Sequence, residues 1–176
     1  IIGCGIAGLL QVQLGCALGA SRVMVVDIND FRLEAAKRFG AEAAMRASED
    51  IPSQIRNINQ GRLADLVIVS TGAIAALSQA WASVDRGGTV LLFAPTEPGV
   101  TMPLSFYELW RNEVTITTSY AANMAEIRTA IELIRARRVQ VDQLITHRLG
   151  LADTGLGFQL VASAQNSIKV IIDPQL

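Results

Sequence analysis

The chain has 176 residues, of which 51% are hydrophobic and 18% are charged, and its formal net charge is −1. A chain of this length buries roughly 70% of the surface of its unfolded form, which is enough for one domain with a real core. The near-neutral charge excludes the basic surface that nucleic acids or anionic membranes require. No apolar run approaches the roughly 18 residues of a transmembrane helix, and no secretory signal is recognised, so we expect a cytoplasmic protein.

Short apolar runs alternate with helical segments along the first 138 residues. The runs are continuous and rich in Val, Ile and Leu, which indicates strands buried on both faces. The predicted strands are Val23–Val26, a weaker one near Glu42–Met45, Leu66–Val69, Val90–Phe93 and Val114–Thr118, preceded by the stub Ile1–Ile2. The predicted helices are Ala7–Leu18, Asp30–Phe39, Ile51–Asn59, Ala75–Val84 and one from Asn123 to about Arg137. This alternation predicts an α/β fold with a doubly wound parallel sheet in three α/β/α layers.

Local signals support several of these helix boundaries. Asn29 is a favourable N-cap for the second helix, and Pro52 falls in the first turn of the third. Asn123 with Glu126 three residues later predicts a capping box for the fifth helix. The helices therefore have independent support besides their hydrophobic pattern.

The two ends of the chain depart from this alternation. After about Arg138 we expect a strand near Leu144–Thr146, a helix near Ala152–Ala164 and a strand at Ile168–Ile172. The stub Ile1–Ile2 is shorter than the usual five or so residues of a strand. We therefore expect the natural polypeptide to extend upstream.

A glycine-rich turn follows the stub and opens the first helix. Its sequence, Gly3-Cys4-Gly5-Ile6-Ala7-Gly8, matches the G-x-G-x-x-G pattern in the strand–turn–helix context of a Rossmann dinucleotide-binding fold. In this pattern the first glycine permits the tight turn, the second lets a pyrophosphate approach, and the third lets the helix pack closely. The pyrophosphate would then lie at the helix N-terminus, where free N–H groups favour negative charge.

An acidic residue ends the next strand. Asp27 follows Gly8 by 19 residues, the spacing at which a carboxylate accepts hydrogen bonds from the adenosine ribose. A carboxylate there would repel the 2′-phosphate of NADP, so NAD is the expected coenzyme. Arg32 could reach the adenosine side of the ligand or could be a solvated helix residue.

With these residues placed, nearly the whole chain resembles the coenzyme-binding domain of the zinc-dependent medium-chain dehydrogenases, in particular the alcohol, sorbitol and threonine dehydrogenases. The segments that carry the resemblance are Ile2–Gly8, Val25–Asn29, Phe39–Ala41, Ala64–Asp65, Ser70–Gly72, Gly87–Gly88, Leu144–His147 and Ser167–Val170. They occur in the order and at the spacing of that family.

The resemblance implies roles for residues that follow the later strands. Thr71 and Gly72 would lie beside the nicotinamide half of the coenzyme, and Lys169 would contact the pyrophosphate. The segment Phe93–Pro95 would hydrogen-bond the carboxamide through backbone groups, although Ala94 replaces the more usual glycine. The expected coenzyme-binding residues are therefore Gly3, Gly5, Ile6, Ala7, Gly8, Asp27, Ile28, Arg32, Thr71, Gly72, Phe93, Ala94, Pro95, Ser119 and Lys169.

The resemblance also implies that coenzyme binding and zinc binding belong to two different domains. Residues 1–143 would form the NAD-binding domain, and residues 144–176 would return to an N-terminal catalytic domain that holds zinc. The candidate ligands in this chain are Cys4, Cys16 and His147, and their positions suit no compact metal site. We therefore expect neither a catalytic residue nor a metal ligand within these 176 residues.

The expected function is to bind NAD and to present its nicotinamide to a small alcohol or polyol substrate. Two alternatives remain open: an S-adenosylmethionine-dependent methyltransferase-like domain, and a non-catalytic NAD-binding regulatory module. The Tyr-x-x-x-Lys motif of short-chain dehydrogenases is absent, because Arg111 follows Tyr107 and Met124 follows Tyr120 at the fourth position. In the family, coenzyme domains dimerise through a segment that matches Val100–Leu104, so a homodimer or homotetramer is expected.

Overall fold

The computed structural model describes residues 1–176. Its helices are α1 Ile6–Ala17, α2 Asp30–Arg38, α3 Ile51–Ile58, α4 Ile74–Ser83, α5 Phe106–Arg111, α6 Met124–Arg135 and α7 Thr154–Ser163. Its strands are β1 Met24–Asp27, β2 Ala43–Arg46, β3 Ala64–Val69, β4 Val84–Leu92, β5 Thr115–Thr118, β6 Ile145–Leu149 and β7 Lys169–Ile172. None of the helices combines the length and the apolar character that crossing a bilayer would demand.

The main sheet is parallel and doubly wound, as the sequence predicts. Strand β1 pairs with β2, and β4 pairs with both β3 and β5. Ile2 forms parallel bridges to Val26 of β1 and to Val69 of β3, so it joins the two groups of strands. The order across the sheet is therefore β2, β1, Ile2, β3, β4, β5, which is the Rossmann arrangement.

Two apolar clusters lie on opposite faces of this sheet. Neighbouring residues of β1 separate them, because Val25 belongs to one cluster and Val26 to the other. The cluster of Val25 includes Leu9 and Val12 of α1, whereas α3 and α4 contribute to the cluster of Val26. Helices thus cover both faces, and the continuous apolar strands follow from this burial on both sides.

Most predicted element boundaries agree with the structure, and the exceptions have local causes. Strand β4 begins at Val84, before the predicted Val90, because Ala64 pairs with Val84 and the ladder resumes only at Leu66 and Thr89. The Gly87–Gly88 pair therefore lies in an irregularity inside a strand, not in a separate loop. Segment 100–104 has no regular secondary structure in this single chain.

Helix α5 was not predicted from the sequence. Its six residues begin after Ser105, whose side chain accepts a hydrogen bond from the N–H of Glu108. Ser followed three residues later by Glu is an N-terminal helix signal. That signal was present, but the helix is too short to show a clear apolar period.

The C-terminal segment forms a second, two-stranded parallel sheet from β6 and β7 and remains in contact with the main domain. Leu144 is 1% exposed and belongs to the same apolar cluster as Val25. Buried Gln13 of α1 donates to the carbonyl of Gln140 (3.2 Å) and accepts from its N–H (2.6 Å). The return of residues 144–176 to another domain stays a prediction.

Candidate functional site

The carboxyl ends of all the parallel strands lie along one edge of the main sheet. The strand order reverses between Ile2 and β3, because the chain proceeds from Ile2 to β1 and β2 on one side and continues with β3, β4 and β5 on the other. The residues that follow Ile2, β1, β3, β4 and β5 are therefore neighbours along this edge. In open α/β sheets, ligands bind in the crevice at such an edge. Every predicted coenzyme-binding residue except Lys169 belongs to these loops, to the last position of β1 (Asp27) or to the start of α1 or α2.

The glycine turn packs closely against backbone atoms and against the side chain of Thr71. Gly3 has φ +94°, and a Cβ atom there would lie 3.1 Å from the carbonyl carbon of Ser70 and from Cβ of Thr71. A Cβ atom on Gly8 would overlap the carbonyl oxygen of Gly3. These two glycines bring the start of α1 against the ends of Ile2 and β3, so they shape the turn.

Gly5 differs from these two glycines because neither a contact within the chain nor its backbone conformation requires a glycine at this position. No atom lies within 4 Å of a Cβ built at this position, and its φ of −64° is open to any residue. Gly5 is the N-cap of α1, which has no side-chain capping hydrogen bond and no acidic residue in its first turn. The N–H groups of Ile6 and Ala7 make no hydrogen bond within the chain, so they remain available to a bound pyrophosphate.

The carboxylate of Asp27 is held beside this turn. Asp27 is 7% exposed; its Oδ2 accepts from the N–H of Cys4 (2.5 Å), and its Oδ1 accepts from the N–H of Asn29 (2.9 Å). Each carboxylate oxygen has two lone pairs, so further hydrogen bonds from ribose hydroxyls remain possible. Asp27 therefore both joins β1 to the glycine turn and presents an acceptor at the sheet edge.

Cys4 lies within the turn but has no free thiolate to offer. Burial, with a smaller contribution from the nearby Asp27 carboxylate, raises the pKa of the Cys4 thiol to about 12. The side chain is fully buried in the apolar cluster of α1. Cys4 therefore packs as a small apolar residue.

Ile28 and Arg32 border the region next to Asp27. Ile28 is 78% exposed, although large apolar side chains are usually covered. The Nε atom of Arg32 is buried and has no hydrogen-bond partner in the chain. The exposed apolar side chain of Ile28, next to Asp27 in the chain, fits an adenosine group, which offers a flat apolar face.

The ends of β3 and β4 are in close contact at the other half of the edge. A Cβ atom on Gly72 would overlap the carbonyl oxygen of Pro95. The N–H groups of Phe93 and Ala94 both donate to the carbonyl of Val69 (3.1 and 3.0 Å). Because proline has no N–H, the free backbone groups of this loop are carbonyl oxygens, which can accept from a carboxamide NH₂.

Two further predicted residues lie on other elements of the chain. Ser119 follows β5, is exposed, and donates its N–H to the carbonyl of Leu92 (3.3 Å). Lys169 begins β7 and is exposed, with no carboxylate within ion-pair distance of its ammonium. Its neighbour Ile168 packs against the apolar cluster that contains Cys4.

Asn29 is a contact residue whose role sequence reasoning did not recognise in full. Besides capping α2, its side-chain amide donates to the carbonyls of Ala164 (2.8 Å) and Gln165 (2.9 Å). It thereby holds the C-terminal segment next to Asp27. The capping signal was visible in the sequence, whereas a contact across 135 residues left no local signal.

The residues of this chain do not fit a zinc ion. No group of three or more His, Cys, Asp or Glu side chains is placed to hold a metal. Nδ1 of His147 lies 3.0 Å from Oγ1 of Thr146, and Cys4 is buried and protonated. The side chains of this chain therefore do not supply the ligands of a catalytic zinc ion.

The fold and this edge define a dinucleotide-binding α/β domain, and comparison with known proteins identifies its family. Residues 7–136 match the family model described as zinc-binding dehydrogenase, and the chain belongs to this family. The chain is 34% identical to the L-threonine 3-dehydrogenase of Bacillus velezensis, with 99% of the chain and 50% of that protein aligned. It is 26% identical to sorbitol dehydrogenase 1 of Saccharomyces cerevisiae, with 98% and 50% covered.

Solved structures agree with this assignment. An alcohol dehydrogenase from Thermotoga maritima has a TM-score of 0.89 and 26% identity, with 97% of this chain and 48% of that chain covered. The chain thus spans about half the length of the curated relatives that it matches.

Proposed function

We propose that this chain is the NAD-binding domain of a zinc-dependent alcohol or polyol dehydrogenase and that it positions the nicotinamide for hydride transfer. The observation that carries the proposal is the open space over Gly5 at an uncapped helix N-terminus, beside the held carboxylate of Asp27. The named relatives act on threonine, sorbitol and other alcohols, which supports a small alcohol or polyol as substrate. The family match favours this function over a methyltransferase.

Each part of the edge would contribute a separate interaction with the coenzyme. When bound, NAD supplies the hydride-accepting ring, while the protein supplies position and electrostatics. The first turn of α1 would bind the pyrophosphate, with the Lys169 ammonium as a further cation, and Asp27 would accept from the ribose hydroxyls. Carbonyl oxygens of Phe93–Pro95 would accept from the carboxamide, while Thr71 and Ser119 border the nicotinamide half.

Zinc would be bound only in the complete protein. The zinc that polarises the alcohol would be held by residues outside this chain, since the side chains described here do not fit a metal. We also propose that the protein assembles as a homodimer or homotetramer through the segment Val100–Leu104.

The experiment that tests the proposal measures coenzyme choice. Asp27 would gain hydrogen bonds from NAD, each contributing roughly 1.5–3 kcal/mol, but would face a doubly charged 2′-phosphate in NADP. At about 4 Å and an effective dielectric constant near 20, the repulsion between each pair of negative unit charges costs about 4 kcal/mol before screening. We therefore expect calorimetric titration to show at least about a hundredfold preference for NAD over NADP.

Two variants separate charge from hydrogen bonding. Asp27→Asn removes the charge but keeps one side-chain oxygen, which can accept from only one of the N–H groups of Cys4 and Asn29, so NADP should gain affinity. Asp27→Ser removes most of the acceptor as well as the charge. The affinity for NAD should therefore fall, and the difference between the affinities for NAD and NADP should narrow further. Asp30→Asn, an exposed carboxylate on α2, is the matched control and should change neither affinity. Equal affinities for both coenzymes in the unmodified chain would show that Asp27 does not face the ribose.

A further inference from the structure

The two-stranded sheet of the C-terminal segment contains an irregularity opposite Lys169. Ile145 of β6 pairs with Lys169 of β7. The next pair is His147 with Val170, so β6 advances by two residues while β7 advances by one. Thr146 is therefore the extra residue of a β-bulge, a feature that is rare between parallel strands and that changes the direction of nearby side chains.

The hydroxyl of Thr146 closes the gap that the bulge leaves between the two strands. It accepts a hydrogen bond from the N–H of Ile168 (3.1 Å) and donates to the carbonyl of Lys169 (3.2 Å). These are the first and the last polar groups of the dipeptide Ile168–Lys169. One hydroxyl therefore fixes the backbone of both residues.

His147 supplies the remaining partner of this hydroxyl. A hydroxyl has one hydrogen and two lone pairs. The Lys169 carbonyl takes the hydrogen, and the N–H of Ile168 takes one lone pair. Nδ1 of His147 lies 3.0 Å from the Thr146 oxygen, so its N–H can donate to the second lone pair. With all three hydrogen bonds made, the Thr146 hydroxyl is held in one orientation.

The backbone that Thr146 holds lies next to the first turn of the main domain. The side chain of Ile168 packs against the apolar cluster that contains Cys4 of the glycine turn. Lys169 follows directly, is exposed, and takes part in none of the ion pairs of the chain. Because a lysine side chain is long and flexible, the direction of its Cα–Cβ bond decides which region its ammonium can reach.

We propose that Thr146 is a positioning residue for coenzyme binding, which directs Lys169 towards the pyrophosphate by holding its backbone at the bulge. The inference rests on the proposed function, because it takes Lys169 as a contact of the coenzyme phosphates. Thr146 would not touch the coenzyme itself, so its whole effect on binding would pass through Lys169.

Calorimetric titration with NAD tests this inference on variants of the chain. Lys169→Gln removes the charge and should weaken NAD by at least about tenfold. Thr146→Val keeps the shape of the side chain but removes the hydroxyl, so it should weaken NAD by about three- to tenfold. Thr146→Ser keeps the hydroxyl and should stay within about twofold of the unmodified chain. The matched control is Thr129→Val on α6, which removes a hydroxyl that donates to the carbonyl of Ala125 (3.0 Å) and should not change the affinity.

Two further measurements distinguish positioning from a general loss of structure. In a chain that carries Lys169→Gln, Thr146→Val should weaken NAD no further, because no charge remains to be directed. Added NaCl screens the attraction between lysine and phosphate, so it should weaken NAD less in Thr146→Val and in Lys169→Gln than in the unmodified chain. Thermal unfolding confirms that each variant is folded before titration, and Thr146→Ala replaces the valine variant if that variant does not fold.

Several outcomes would overturn this inference while the proposed function stands. In each of them NAD binds to the unmodified chain. Lys169→Gln could leave the affinity unchanged, or Lys169→Gln could weaken NAD while the folded Thr146→Val does not. Equal weakening by Thr146→Ser and Thr146→Val would show that the hydroxyl is not the cause, and equal weakening by Thr146→Val with and without Lys169 would show that the effect does not pass through the lysine. An unmodified chain that does not bind NAD would overturn the proposed function and this inference together.

Discussion

At the scale of single residues, the glycine motif combines two different physical requirements. Gly8 is needed by the protein itself, because a methyl group there would overlap the Gly3 carbonyl oxygen. Gly5 is surrounded by open space, so only a ligand gives a reason for a glycine there. Within this motif of six residues, Gly8 is therefore required for packing, whereas Gly5 is explained by the proposed binding of a ligand.

This difference leads to a paired prediction. Gly8→Ala should lower the free energy of unfolding by about 1–3 kcal/mol or more, because the helix must move away from the turn. Gly5→Ala should change it by less than about 1 kcal/mol, the scale of an N-cap effect, yet should weaken NAD by at least tenfold by blocking the pyrophosphate. Urea unfolding and NAD titration of the two variants measure both effects. A stable Gly5→Ala chain with unchanged NAD affinity would contradict the proposed pyrophosphate site.

At the scale of elements, the sequence predicted what local patterns control. Helix α2 was predicted within a residue because Asn29 caps its start and Gly40 follows its end. The capping box of Asn123 and Glu126 is also present as predicted. Helix α5 and the early start of β4 were not predicted, since α5 has only six residues and β4 is paired through an irregular register.

Asn29 shows how one side chain serves two elements. Its Oδ1 accepts from the N–H of Arg32 at the start of α2, and its Nδ2 donates to the carbonyls of Ala164 and Gln165 after α7. The same residue thus caps a helix and holds the C-terminal segment at the coenzyme edge. Capping and attachment can be removed separately.

We expect Asn29→Ser to keep the cap but lose the attachment, and Asn29→Ala to lose both. The alanine variant should therefore be less stable than the serine variant by about 1 kcal/mol, the usual contribution of an N-cap. Urea unfolding measures this difference, and limited proteolysis near Ala164 should be faster in both variants than in the unmodified chain. Unchanged proteolysis in both would show that the amide does not hold the C-terminal segment.

At the scale of the whole molecule, the glycine turn, Asp27 and the strand ends were predicted as one site because a parallel sheet brings its carboxyl ends together. The packing of residues 139–176 on the main domain was not predictable. It depends on contacts such as that of Gln13 with Gln140, which join residues 127 positions apart and follow from no local pattern.

The proposed assembly can be tested on the intact chain. We expect sedimentation velocity at micromolar concentration to show a dimer or a tetramer, and Val100→Asp to shift it towards monomer. Val100 is 40% exposed, so a charge there should not unfold the chain but should disrupt an apolar contact between copies. Val161→Asp, at a 58% exposed position on α7, is the matched control and should not alter the sedimentation. A monomer in the unmodified chain would count against this interface.

The contrast between the two cysteines has a practical consequence for spectroscopy. Cys4 is fully buried, and its raised pKa keeps it protonated at neutral pH, so alkylating reagents have neither access nor a thiolate to attack. Cys16 is exposed near the other end of α1, where its Sγ contacts the carbonyl of Gly40. A maleimide dye would therefore attach at one position per chain without mutagenesis. The label would be carried by the same helix whose first turn is proposed to bind the pyrophosphate, and it would lie about three turns away from that turn.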